Sequence, residues 1–108
     1  MPAMKFIDVL VTCPDRASTE TIARVLVEER LAACANIGAG VTSIYRWKGA
    51  IEQADEIPLM LKTRAGLFGR LAARVKALHS YEVPCIVAME LADIEPAYAA
   101  WLERGAES

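Results

Sequence analysis

The stretch Ser43-Ile44-Tyr45-Arg46-Trp47-Lys48-Gly49-Ala50-Ile51-Glu52 leaves this chain few architectures. Strand-forming residues run up to Lys48-Gly49, which reads as a tight turn, and a returning strand begins directly after it. Two strands are thereby committed to lie antiparallel and adjacent. Successive side chains of a strand alternate between faces, so Tyr45 and Trp47 share one face while Ile44 and Arg46 take the other. Two aromatics bracketed by charge at a hairpin tip mark a surface against which something packs.

The segments around the hairpin complete the plan. Lys5 to Thr12 is β-branched and apolar and predicts a mostly buried strand, with Asp8 its one charge. Asp15 to Ser18 offers N-cap residues, and Ile22, Val25, Leu26 and Ala33 form a helical stripe, with Arg30 suited to the helix end. Cys34 to Trp47 predicts one long second strand, bulged or bent at Gly38-Ala39-Gly40. Ile51 to Thr63 returns as the third strand, its polar start Glu52 to Glu56 projecting beyond the sheet and its Pro58 unable to donate to a ladder. Thr63 then caps a second helix striped by Leu67, Leu71, Val75 and Leu78. His79 to Glu82 connects to a fourth strand, Val83 to Leu91, and a last helix runs from about Glu95 to Glu103. The order is β-α-β-β-α-β plus a terminal helix. That is the ferredoxin-like plan of the α+β class, an antiparallel sheet carrying two helices on one face, in a single domain over 1–108.

In this plan the strands lie side by side in the order fourth, first, third, second. Cys13 at the end of the first strand and Cys85 at the start of the fourth then share one end of the sheet, with His79 and Tyr81 in the loop leading there. Two readings stand. Thiolates and an imidazole suit copper(I) or zinc, making Cys13, Cys85 and His79 a candidate soft-metal site. Free cysteines are also ordinary small buried hydrophobes and a lone histidine an ordinary loop residue, and the spacing matches no established metal motif, which favours this second reading. Lys48, Lys62 and the backbone at Thr63, walled by Trp47 and Tyr81, would serve a small anionic metabolite; a Lys-Thr pair at a strand-helix junction more often just caps the helix. Glu52, Glu56 and Glu82 read as solvated surface charge, and Cys34 as core. The open sheet face needs a cover, and Val41, Tyr45 and Trp47 point to other subunits of the same chain.

Composition narrows the function. A hydrophobic content of 55% is generous for 108 residues and signals surface buried in an oligomer. A net charge of -2 and dispersed basic residues argue against nucleic acid and membrane surfaces as partners. The three cysteines form no C-x-x-C pair, and no run is long and apolar enough for a bilayer span, so a reducing cytoplasm is expected. There is no P-loop, dinucleotide-binding glycine pattern, H-E-x-x-H or G-x-S-x-G, and an enzyme is the least supported class.

Several blocks of this sequence resemble, in order, signatures of the divalent-cation tolerance (CutA) family. They are Leu31-Ala32-Ala33-Cys34-Ala35-Asn36-Ile37, Ser43 to Gly49 with Ile51-Glu52, Leu61-Lys62-Thr63, His79-Ser80-Tyr81-Glu82-Val83-Pro84 and Tyr98-Ala99-Ala100-Trp101-Leu102. The resemblance implies a ferredoxin-like subunit in a tight homotrimer, akin in architecture to PII-type signalling proteins. It further implies a non-enzymatic role in tolerance of copper or another divalent metal ion, bound weakly in an intersubunit cleft with no cofactor required; a PII-like adaptor taking the anionic metabolite is the alternative. Two positions depart from the family pattern. Ser80 stands where the loop usually has proline, and Cys85 where a glutamate usually follows Pro84, which exchanges a carboxylate for a thiol.

Overall fold

The computed structural model describes residues 5–107. It contains β1 (Phe6–Cys13), α1 (Arg16–Glu28), β2 (Cys34–Ile37), β3 (Val41–Trp47), β4 (Ala50–Arg64), α2 (Phe68–Leu78), β5 (Ile86–Glu90) and α3 (Pro96–Gly105), with a single 3-10 turn, Ala65–Leu67, before α2. The strands form one antiparallel system in the order β2-β4-β1-β5, with β3 pairing on β4 beyond that path. This is the anticipated neighbour order, with the second strand divided in two.

Alternation along β1 decides where the core sits. Ile7, Val9, Val11 and Cys13 are buried, as are Leu59, Leu61 and Thr63 on the paired strand. Against that face α1 brings Ile22, Ala23 and Leu26, and α2 brings Leu71 and Val75, closing one hydrophobic cluster. Asp8, Leu10 and Thr12 take the other face, where Val87 and Met89 of β5 stay exposed. Lys62 donates to Asp8 there at 2.8 Å, and that hydrogen bond raises the lysine's pKa above its ordinary value.

Helix α1 starts where Asp15 caps it, its Oδ1 accepting from the Ser18 N–H at 2.7 Å. That bond to the Ser18 backbone lowers the Asp15 pKa. The helix ends sooner than its apolar stripe predicts. Arg30 adopts φ 61°, and the Ala33 N–H already donates to the Lys62 carbonyl at 2.8 Å, so Ala33 belongs to the approach to β4.

The long second strand is two strands. Ile37 faces Leu59 while Val41 faces Glu56, so β2-β3 spends one more residue than β4 across the interval. An extra residue of this kind is a bulge, and it reverses the face each side chain takes. Gly38 sits at that point because a Cβ there would lie 2.9 Å from Pro58 Cγ. Pro58 itself offers no N–H, and its carbonyl instead accepts from the Gly38 N–H at 2.9 Å.

Thr63 does not cap α2. It is buried, with Oγ1 donating to the Leu31 carbonyl at 2.7 Å, and the helix begins at Phe68 without a side-chain cap. The last strand starts at Ile86 rather than Val83, because Pro84 cannot extend a ladder on its donor side. Cys85 therefore lies in the connection. At α3 the Glu95 carboxylate accepts from the Ala97 N–H, and Pro96 occupies the first turn, where its missing donor costs nothing.

Candidate functional site at the strapped hairpin

The β1-β4 pairing stops at Cys13 and Ile57, yet β4 begins at Ala50. Its first half pairs only with β3, and this two-stranded ribbon projects past the sheet, drawing the molecule out to 48 Å against 25 and 24 Å. The tip turns through two left-handed residues, Lys48 at φ 49° and Gly49 at φ 84°. A glycine at the second position removes the steric cost of that geometry.

Directly paired residues share a face, so Val41, Tyr45 and Trp47 stand with Glu56, Glu52 and Ala50. The other face carries Ile44, Arg46 and Ile51. Ile44 and Ile51 are 69% and 62% exposed, among the most exposed large hydrophobic residues in the chain, ahead of Val41, Tyr45 and Trp47. Hydropathy marks both isoleucines in the sequence, and alternation along the hairpin sets them on the face opposite the aromatics.

The connection after α2 straps across this region. His79, only 9% exposed, puts Nε2 2.8 Å from the Thr12 carbonyl oxygen, and its Nδ1 accepts from the Tyr81 N–H at 3.1 Å. Those partners require a neutral ring with its proton on Nε2. The Tyr81 ring lies 4.6 Å from that of His79, and its hydroxyl donates to Glu56 Oε2 at 2.9 Å. Burial first, then the Glu56 hydrogen bond, push the Tyr81 phenol up to about 12. Further along, Glu82 reaches Lys48 at 3.9 Å, and that ammonium lies 5.6 Å from the Trp47 ring centroid. Trp47, Lys48 and Tyr81 thus share one neighbourhood.

Glu56 corrects the sequence reading. It is 7% exposed rather than a solvated charge. Its position in a polar run hides this, because burial comes from the strap and the hairpin closing over it.

The three candidate metal ligands are not assembled within one subunit. Cys13 faces the helices, fully buried; burial raises its pKa against the opposing Thr19 hydrogen bond, which keeps the thiol protonated. Continuing the register of Val11 with Ile86 sets Cys85 beside Thr12, on the opposite face, where its Sγ lies 4.0 Å from the Leu10 carbonyl. Both His79 nitrogens are engaged. Among the described residues no three His, Cys, Asp or Glu side chains group as a metal site.

The anion-binding set is not assembled either. Lys62 is paired to Asp8 on the open face, Thr63 is sealed on the helix face, and Lys48 is at the hairpin tip. Cys34 is half-buried, with Sγ 3.7 Å from Asn36 Oδ1, and lies outside the core cluster. No helix among the described residues is long and apolar enough to cross a membrane.

An antiparallel sheet with helices packed on one face and a projecting, strapped hairpin defines an α+β protein of small size. Residues 7–105 match the family described as CutA1 divalent ion tolerance protein. The chain belongs to that family. It is 51% identical over 94 residues to the divalent-cation tolerance protein CutA of Thermus thermophilus, covering 87% of this chain and 91% of that one. The mouse protein CutA is 42% identical over 98 residues, covering 91% of this chain and 55% of the longer mouse protein. Among solved structures, the T. thermophilus Cut A1 protein superposes with a TM-score of 0.92 at 47% identity, over 94% of this chain and 99% of that one. CutA from Xylella fastidiosa gives 0.91 at 40% identity, over 94% and 98%.

Proposed function

We propose that this chain is a non-enzymatic protein of divalent-cation tolerance that works in the cytoplasm as a homotrimer of PII-like architecture and binds copper or a similar ion weakly between subunits. The observation that carries the reading is the projecting hairpin, whose exposed Ile44 and Ile51 are costly to leave in water, in a chain of the divalent ion tolerance family. A single subunit groups no three metal-ligating side chains among the described residues, so an ion held by three protein ligands takes them from more than one copy. Cys85 is the first ligand we assign. Its thiol is half-buried, with a single long contact to a carbonyl among the described residues, whereas Cys13 is sealed in the core and His79 is spent on the strap. Thiolate ligands suit soft and borderline ions, copper(I) and zinc among them.

Sedimentation of the reduced protein, followed by copper(I) titration in competition with a chelator, tests both parts. The expected result is a trimer that binds copper, with affinity falling in Cys85→Ser while the trimer persists. A stable monomer at micromolar concentration, or copper binding unchanged in Cys85→Ser, would sink the corresponding half.

A further inference from the structure

A cleft opens beside Glu56, where the turn after β1 meets the bulged start of β3. It is an open cleft of about 380 Å³, a size that suits a small molecule. Pro14, Val41 and Ile57 give it apolar walls, and Asp15, Asp55 and Glu56 give it carboxylates; among the described residues no lysine, arginine or histidine lines it. Two of the carboxylates are rim groups already occupied, Asp15 in capping α1 and Asp55 in accepting from the Thr42 hydroxyl at 3.4 Å.

Glu56 is different. It is more than nine-tenths buried, and its only hydrogen bond among the described residues comes from the neutral Tyr81 hydroxyl to Oε2, which leaves Oε1 without a partner. Oε1 is not sealed, since Arg64 Nε is the one buried side-chain nitrogen or oxygen without a partner among the described residues, so it stays open to the cleft that Glu56 lines, with no cation paired to it there. Arg16, adjacent in sequence to Asp15, makes no ion pair with Glu56, its guanidinium donating instead to the Gly38 carbonyl at 3.2 Å.

The kind of cation follows from the geometry. Hard divalent ions want several oxygen ligands at once, and the described side chains form no such group. An ammonium or guanidinium needs one carboxylate that accepts directed N–H bonds, with apolar walls for the attached alkyl chain. We propose that this cleft binds a small organic cation, an alkylammonium or alkylguanidinium, whose charged head pairs with Glu56 and whose chain lies against Pro14, Val41 and Ile57. The site is independent of the metal reading and lies within one subunit.

Calorimetric titration of the intact protein with agmatine, which carries both head groups, tests the proposal. Binding to the wild type is expected, with N-butylacetamide, an uncharged amide of similar reach, failing to bind. Glu56→Gln should weaken agmatine roughly tenfold or more, the loss of one charge-assisted hydrogen bond. Tyr81→Phe, which frees Oε2 while keeping the carboxylate, should bind at least as tightly, and it serves as the second variant should Glu56→Gln fold poorly. Absence of agmatine binding to the wild type overturns the proposal. So does equal binding by wild type and folded Glu56→Gln, equal binding of the uncharged amide, or loss of binding in folded Tyr81→Phe. A parallel copper titration separates the two readings, because copper binding that persists in Glu56→Gln leaves the metal role standing whatever agmatine does.

Discussion

His79 Nε2 donates to the Thr12 carbonyl at 2.8 Å, which ties the first residue after α2 to the penultimate residue of β1. The same ring accepts from the Tyr81 N–H, so one buried imidazole satisfies two backbone groups of different segments. His79→Ala strands both and should cost about 2 kcal/mol, read as a lower urea midpoint. His79→Gln, which can donate and accept, should recover part of it. Amide exchange at Tyr81 should quicken in the alanine variant; unchanged exchange would show that the ring does not hold the strap.

Among the described residues the Tyr81 hydroxyl is the sole hydrogen-bond donor to the Glu56 carboxylate, so Tyr81→Phe should destabilise by about 1–2 kcal/mol at neutral pH. Its phenol is raised from 10.0 to about 12 in the folded protein. The protonated form is therefore the one that folding favours. Its contribution is whole below pH 10.0 and is lost as the pH climbs through about 12. Urea melts across that window should show the gap between wild type and Tyr81→Phe closing with rising pH; a constant gap would contradict this.

Asp8 and Lys62 meet at 2.8 Å on the open sheet face, with side chains 18% and 24% exposed. Removing one partner leaves a partly buried charge, so Asp8→Ala should cost about 2–3 kcal/mol, somewhat below the value for a fully buried pair. The double variant Asp8→Leu with Lys62→Met should regain most of that loss, as measured by chemical denaturation. Equal losses in the single and double variants would mean that packing rather than charge sets the effect.

Gly38 lies where β2 gives way to β3, and a Cβ there would approach Pro58 Cγ to 2.9 Å. Gly38→Ala should destabilise by about 1–3 kcal/mol, because the proline ring has little room to yield. Combining it with Pro58→Ala should relieve part of the cost. A neutral Gly38→Ala in a thermal melt would show that the bulge relaxes freely.

Ile44 and Ile51 share the outward face of the hairpin, and the assembly proposed above would bury them. Ile44→Lys with Ile51→Lys should shift the sedimenting species toward monomer while the circular dichroism of the subunit is retained. A trimer unaffected by both lysines would place the interface elsewhere.

Local pattern was enough for much of this fold. Turn chemistry at Lys48-Gly49, alternation along β1, and the leucine-valine stripe of α2 are set by neighbours in sequence, and the neighbour order of the strands followed from chain connectivity. What local pattern could not decide were the events governed by segments far apart in the chain. Thr63 is a buried donor to Leu31 rather than a cap, because the turn after α1 meets β4 there. Connectivity predicts Cys13 and Cys85 together, and they do share one end of the sheet; the pleat sends them to opposite faces, since neighbouring strands place side chains by register and not by proximity of ends. Glu56 reads as a surface charge in every window of its own sequence. It is buried because a strap arriving from the end of α2 lays Tyr81 over it, and that closure exists only once the whole chain has folded.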